Sequence, residues 1–512
     1  MRLDSVILVT STTVLLLAAC SLAGGAPDTL WMRTYGWGGD EYVAPGDMGY
    51  ALAQCYDSGF VVGGCGFPVW PNRALSVVRT DPYGDKLWDY SCCPSLRCNG
   101  CAFSVQATAD SGFIATGWLE DDDTRGRDLV FVHKSRLIHL GWIACCGGAG
   151  FDAGYSVLQA PGGSYVAVGE LDGGDSRHSD ILVAGCSAEG DSVWMKSYGG
   201  TGTDVGYSIC PVIGDDGYMA CGVTSSEDCF GLGVILLRLA ANGDTLWTKT
   251  YATPTCWASC SMAQTRDGGY VIAGTEYPYV PPALSCYSGS HIVILKVDVG
   301  GDMVWSRQYG GTGDDWARDI QQTSDGGFVV VGRTDSRGAG QDDVYLLRLD
   351  QNGDTLWTGT YGGEDFDEGT KVRQGMDGCY IIAGTTSSYG GGASDMLLIK
   401  TLPDPTLGLP WPTRLSVSPG WPNPSAGSAA FAMELSRPAD VSLSLFDVAG
   451  RLLGAQLSRP GGVGHWEWDV DLKDLSRRAL VPGVYFCHFR AGESSVTRKV
   501  VYTGNRGDSA IR

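Results

Sequence analysis

Five aspartates, Asp47, Asp152, Asp204, Asp315 and Asp367, recur at one place in a repeating pattern, after Tyr-Gly-Gly or its equivalent. A catalytic acid has no reason to be copied from unit to unit. The plainer chemistry is structural, because an aspartate in that position accepts backbone N–H bonds within its turn. A cation recurs as well, at Arg79, Arg238, Lys296, Arg348 and Lys400, but the two sets do not match unit for unit and define no repeated ion pair. The two units without the aspartate carry cysteines near the same turn, Cys98 with Cys101 and Cys256 with Cys260, and cross-links are expected there in its stead. Cys92, Cys93, Cys98 and Cys101 are also a four-sulfur set for zinc, yet adjacent cysteines depart from the usual spacing of a tetrahedral site.

Enzyme signatures are absent. The six histidines, His133, His139, His178, His291, His465 and His488, form no metal-ligand spacing, and neither a Gly-x-Ser-x-Gly elbow nor a phosphate-binding Gly-x-x-x-x-Gly-Lys-[Ser/Thr] loop occurs. No catalytic residue and no resident cofactor is assigned. Residues that break the repeat are the better candidates for function, since the repeat does not need them. Trp70, Tyr277, Tyr279 and Tyr287 are suited to stacking on sugar or peptide groups, with packing within their own loops as the bland alternative. Asp121, Asp122 and Asp123 offer the oxygen ligands calcium takes, with a solvated acidic loop as the alternative.

The elements that must position these residues come from a repeat. Aligned openings fall at Trp31, Trp88, Trp142, Trp194, Trp247, Trp305 and Trp357, an interval of roughly fifty to sixty residues. Each unit holds four short strands, a to d: a Trp-x-x-x-Tyr segment, a polar-apolar stretch, an apolar run such as Phe328 to Gly332, and a run such as Val344 to Leu349. Strand d is apolar throughout, as in Val234 to Leu237, Ile292 to Leu295 and Met396 to Ile399, which suits a strand covered on both faces. Asp-Gly-Gly at 267 to 269 and 325 to 327, and Asn-Gly-Asp at 242 to 244 and 352 to 354, supply the positive φ of tight b–c and d–a hairpins. Seven such units predict an all-β, seven-bladed propeller of four-stranded blades over residues 27–402. With d and the following a in one sheet, the expected blade is d-a-b-c, and the last d strand, Asp395 to Thr401, closes the ring onto the first unit. All c–d loops then emerge on one face, where aromatics and acids from separate units form a binding surface.

Composition agrees. Seventy-five glycines without a three-residue period belong to turns, and a net charge of -21 disfavours nucleic acid and anionic lipid as partners. Residues 1–26 read as an export signal, with an apolar run from Val6 to Ala19; Leu17-Ala18-Ala19-Cys20 resembles a lipobox that would lipidate Cys20 and so supply a membrane anchor, and cleavage near Ala26 is the alternative. Eighteen cysteines in an exported chain argue for disulfides.

Seven prolines between Pro403 and Pro424 mark a boundary, assigned as a linker over 403–414 ahead of a small β-sandwich at 415–504 and a tail at 505–512. Its landmarks are Trp421-Pro422-Asn423-Pro424, Leu445-Phe446-Asp447-Val448-Ala449-Gly450-Arg451, Gly464-His465-Trp466-Glu467-Trp468, Pro482-Gly483-Val484-Tyr485-Phe486 and Arg498-Lys499-Val500-Val501. This module resembles type IX secretion sorting domains and the related immunoglobulin-like domain of flagellar hook-capping proteins, and the repeats resemble those of secreted bacterial propellers. The resemblance implies an address read by outer-membrane secretion machinery and a secreted or cell-surface location. The expected function is an exported, non-catalytic binding or adhesion scaffold with a surface glycan or protein as ligand. A polysaccharide-active enzyme with carboxylates at the propeller channel and a structural envelope protein are the alternatives.

Overall fold

The computed structural model describes residues 26–36, 46–69, 72–92, 98–121, 126–135, 141–148, 150–173, 178–225, 233–251, 256–277, 289–391, 393–407, 415–418, 423, 425, 427–435, 439–448, 450–453, 457–461, 464–472, 476, 480–491 and 494–504. The chain divides into two compact units, Met1–Gly408 and Leu409–Arg512. Cys20 and the rest of the export segment lie outside the described residues, as do Trp70, Tyr279, Tyr287, Asp122 and Asp123.

The first unit is built from seven four-stranded antiparallel sheets. Blade 6 shows the plan: b strand Asp315–Gln322, c strand Phe328–Thr334, d strand Asp343–Leu349, and then Thr355–Tyr361, the a strand that opens the next repeat. The expected blade order d-a-b-c is corrected to b-c-d-a. Strands d and a do share a sheet, but b pairs only with c, so each sheet breaks between a and b. The b–c, c–d and d–a connections keep the chain in one antiparallel meander, and the a–b segment carries it from the outer strand of that sheet to the inner strand of the next. The b strands touch their neighbours around a complete cycle, Met48–Gln54 through Asp367–Gln374 and back, which makes them the inner ring.

Local sequence explains the hairpins. Gly268, Gly326, Gly243 and Gly353 take φ of +84, +91, +82 and +83° in the expected turns. The d strands are buried on both faces, as in Met396, Leu397, Leu398 and Ile399, all 1% exposed or less, and full burial of such a side chain contributes about 1.5–3 kcal/mol.

Two recurrent contacts join neighbouring blades on the outside. The opening tryptophan packs on the glycine of the next blade's d–a turn: Trp31 on Gly84, Trp194 on Gly243, Trp247 on Gly301, Trp305 on Gly353. Four residues later the tyrosine hydroxyl donates to that glycine's carbonyl, at 2.6 Å from Tyr35 to Gly84 and 2.7 Å from Tyr309 to Gly353. The Trp-x-x-x-Tyr segment is therefore a clasp between blades.

The ring closes as expected. The last d strand, Asp395–Pro403, pairs with Thr29–Tyr35, setting Trp31 opposite Lys400 and Tyr35 opposite Met396. No d–a turn joins these two strands, and the segments that flank them, before Thr29 and after Thr401, stand in for it. Tyr361 donates to the Pro27 carbonyl at 2.8 Å, and Trp357 Nε1 donates to Asp404 at 3.0 Å. Asp404 also accepts from Arg348 Nε at 2.7 Å and from the Tyr380 hydroxyl at 2.6 Å, all inside the core. Burial alone would raise its carboxyl; bonds from Tyr380, Thr406 and Arg348 outweigh burial and hold it below the usual carboxylate range.

The second unit packs a three-stranded sheet, Leu415–Val417, Ser428–Leu435 and Gly464–Asp471, with a four-stranded sheet, Leu457–Gly461, Ala439–Asp447, Gly483–Ala491 and Ser494–Tyr502. Alternation places Val441, Leu443 and Leu445 in its core beside Phe431, Trp468 and Phe489, a small sandwich.

Removing one partner of a buried ion pair strands the other. Asp404→Ala is expected to cost about 3 kcal/mol or more, read as a lower urea midpoint at unchanged slope, whereas Asp404→Asn retains part of that stability.

Candidate functional site

A β-bulge occupies the same place in every b strand, displacing Tyr50, Phe103, Tyr155, Tyr207, Arg318 and Thr370 from the ladder, with a longer irregularity between Trp257 and Cys260 in blade 5. A bulge re-aims a side chain toward the free edge of its strand. Here that edge faces the ring's interior, and the bulged residues meet across successive blades: Tyr50 with Phe103 at 5.4 Å, Phe103 with Tyr155 at 5.2 Å, Tyr155 with Tyr207 at 5.2 Å. Four blades thus contribute one continuous aromatic arc. Past Tyr207 its chemistry changes to charge, with Arg318 donating from Nε to Glu368 at 2.7 Å.

At the end of the blades where c–d loops and a–b segments emerge, this charged sector meets an aromatic cluster. Trp316, the second residue of its b strand, lies beneath two guanidiniums, Arg333 at 4.4 Å and Arg318 at 5.1 Å from the ring centroid. Arg333 also covers Phe366 at 5.5 Å and is tethered by Asp342 at 2.7 Å. Tyr277, the last residue of the blade 5 c strand, stands edge-on to Trp316 at 5.4 Å. Blade 2 repeats the theme, with Arg127 at 4.1 Å over Trp118 and 5.2 Å over Phe151. Such cation–π contacts fix aromatic rings in place while leaving part of each face exposed. The structure therefore joins Tyr277 to residues that sequence reasoning did not single out. Asp121 ends the blade 2 c strand. Among the described residues no group of three metal-ligating side chains assembles.

The recurrent aspartates sit at the blade seams. Oδ2 of Asp204, Asp315 and Asp367 accepts from the backbone N–H four residues earlier, at 2.8, 2.6 and 2.8 Å, and Asp152 does the same with Gly148. The backbone N–H groups of Asp47, Asp152, Asp315 and Asp367 reach the preceding blade, donating to Ser394, Arg127, Ser290 and Asp342 at 2.8, 2.7, 2.9 and 2.7 Å. A second aspartate, on that blade's d strand, faces each of several: Asp395 approaches Asp47, Asp128 approaches Asp152, Asp180 approaches Asp204 and Asp343 approaches Asp367, with the first glycine of the loop wedged between. These carboxylate pairs are seam elements rather than a cleft.

The recurrent cations have a different partner. Arg238, Lys296, Arg348 and Lys400 pair with Asp215, Asp267, Asp325 and Asp377 at 2.6, 3.0, 2.5 and 2.6 Å, and Arg79 pairs with Asp57. Each of these aspartates lies in the b–c turn of the same blade; in blade 2 the cation's place is taken by His133, 3.2 Å from Asp110, where burial disfavours the charged imidazole. The repeated ion pair exists, between the cation and a second aspartate set. The Asp-Gly-Gly motif was its visible signal.

The cross-links expected near Cys98, Cys101, Cys256 and Cys260 are not closed at Cys101 or Cys260, and no disulfide is closed among the described residues; the side chains of Cys98 and Cys256 lie outside those described. Cys101 and Cys260 each meet a cysteine of the preceding blade, Cys65 in one buried cluster and Cys221 at 3.3 Å.

Burial, opposed by the Gly391 N–H and reinforced by Asp47, pushes the Asp395 carboxyl up to about 6. Its protonated form is thus favoured by folding, so the stability it contributes is complete below pH 4 and is lost as pH rises through 6. The melting temperature is expected to fall between pH 5 and pH 7. Asp395→Asn, which keeps a neutral acceptor for Gly391, should raise it at pH 7 and reduce that fall.

Residues 420–503 match the secretion system C-terminal sorting domain. Over 112 residues the chain is 28% identical to the regulatory protein FlaEY of Caulobacter vibrioides, a match that spans 19% of this chain and 12% of that protein. Similar solved structures include Chaetomium thermophilum Sqt1 bound to the N-terminus of ribosomal protein L10, at 11% identity and a TM-score of 0.42 over 73% of this chain and 100% of that one. Another is PorZ, a surface component of the type IX secretion system of Porphyromonas gingivalis, at 10% identity and a TM-score of 0.21 over 89% of this chain and 81% of that one. The C-terminal module is a type IX secretion sorting domain, and the chain that carries it is an exported protein of the cell surface or outer membrane.

Proposed function

We propose that this is a non-catalytic binding protein, with the propeller as its platform and the sorting domain as the address read by the export machinery. The observation that carries the reading is the Trp316 cluster. An indole held under two arginines, an edge-on tyrosine and a nearby phenylalanine, drawn from blades 5, 6 and 7, sit at the end of the blades where c strands finish and b strands begin. Preorganised aromatics flanked by Arg, Glu and Asp suit the stacking and hydrogen bonding of a surface glycan or the aromatic side chain of a protein ligand. One carboxylate pair of this sector, Asp343 and Asp367, is 2% and 0% exposed and bonded by Ala339 and Gly363 N–H groups, and Asp342 and Glu368 share the Arg333 guanidinium. Glu368 is held by Arg318 and Glu276 by Gln308.

Glycan and peptide arrays probed with the full exported chain test this. Binding without turnover is expected, and Trp316→Ala should weaken it by about tenfold or more, with Tyr277→Ala weaker in effect. Hydrolysis of a polysaccharide by the wild-type protein would sink the reading in favour of an enzyme. Separately, a chain ending at Gly408 is expected to accumulate behind the outer membrane in the native host, measured by surface proteolysis of intact cells.

A further inference from the structure

Two of the seven seams lack the aspartate that stitches a b strand to the preceding blade: blade 1 to blade 2, and blade 4 to blade 5. Both place a pair of cysteines across the junction instead. At the second, Cys221 on the c strand Tyr218–Thr224 and Cys260 on the b strand Cys256–Gln264 bring their Sγ atoms to 3.3 Å. At the first, Cys65 on the c strand Phe60–Val69 and Cys101 on the b strand Cys98–Ala107 pack together with Trp118 in one buried cluster. The same two strands are used both times, c of one blade and b of the next. All four residues are buried, at 1, 7, 0 and 2% exposed in the order named.

We propose that the mature protein carries two inter-blade disulfides, Cys221–Cys260 and Cys65–Cys101, which staple the two seams left without an aspartate. The sorting domain takes the chain out of the reducing cytoplasm, so thiols this close meet oxidising conditions. In each case two thiols lose two protons and two electrons as one S–S bond forms. The electrons pass by thiol–disulfide exchange to the disulfide of a dithiol oxidant, through a mixed disulfide with one of the cysteines. Burial dictates when this happens: a protein oxidant cannot reach either sulfur once the blades have docked. Each bond must therefore form as consecutive blades come together, which their nearness in sequence favours, with 39 residues separating Cys221 from Cys260. A buried disulfide so made is shielded from later reduction, unlike an ion pair or a turn bond, and keeps its strength at any salt concentration.

The test is peptide mapping of full-length protein recovered from an export-competent host, denatured and alkylated without reduction. Peptides joining Cys221 to Cys260 and Cys65 to Cys101 are expected, each lighter by two hydrogens than its separate thiols and separated by reductant. Protein made in a reducing cytoplasm should give all four alkylated and a lower melting temperature. Alkylated Cys221 and Cys260 in the exported protein, or a Cys221–Cys210 link, would overturn the proposal at blades 4 and 5; alkylated Cys65 and Cys101 would overturn it at blades 1 and 2. The wild-type chain supplies the result, so no variant need fold.

Discussion

Every blade ends inward on a b strand whose free edge has no further strand to pair with. An unpaired N–H on such an edge is costly when buried and an invitation to aggregation when exposed. Here each inner strand hands the task to its neighbour. Val157, Ile209 and Met262 donate to Ser104, Ser156 and Ser208 of the preceding blade at 3.3, 3.4 and 3.3 Å, and Val372 donates to Asp319 at 3.1 Å. Gln159 and Gln374 repeat the contact two residues on, with Gln106 and Gln321 at 2.6 and 2.8 Å. Since every blade leans on the one before it, no blade is complete alone, and the ring must close.

The bulge follows from the same arrangement. By pushing one residue out of each inner strand, it leaves the next residue aimed at the neighbouring blade, where Ser104, Ser156, Ser208 and Asp319 serve as acceptors. Asp319 shows how far a seam can be loaded. It is buried, yet Ser261, Lys371, Val372 and Arg373 all bond to it from the two adjacent blades. Burial would raise its carboxyl, and Lys371 and Arg373 overcome that to hold it ionised. The displaced residues are then free to differ, and they do: aromatic in blades 1 to 4, charged or small thereafter. Structural repetition in the seams thus allows chemical variation on the inner ring.

That variation is what gives one sector of the ring a distinct surface. Trp316 takes a position held by Val205 and Ala153 in other blades, and Arg318 takes the position of the tyrosines. Two departures from the repeat in one strand bring Arg333, Glu368 and Tyr277 into a single cluster, because the strand lies between two blades and is reached from both. The seam chemistry holds this sector rigid from below, through Asp319, while its upper end remains accessible.

The sequence by itself determined what is local. Positive-φ glycines placed the hairpins, unbroken apolar runs identified the doubly covered d strands, and a recurrent tryptophan counted the blades, because turn geometry and burial are decided over a few residues. Ring closure followed from the count, and the sorting module from its landmarks. Only tertiary structure decided which strand ends a sheet, that Arg238 meets Asp215 rather than Asp204, that Cys260 faces Cys221, and that Tyr277 joins Trp316. These partners lie on different strands or different blades, and the rotation of one sheet against the next sets which of several like residues comes within reach. A repeat makes that choice hardest to read, since each unit offers the same candidates, and the distinction is geometric rather than compositional.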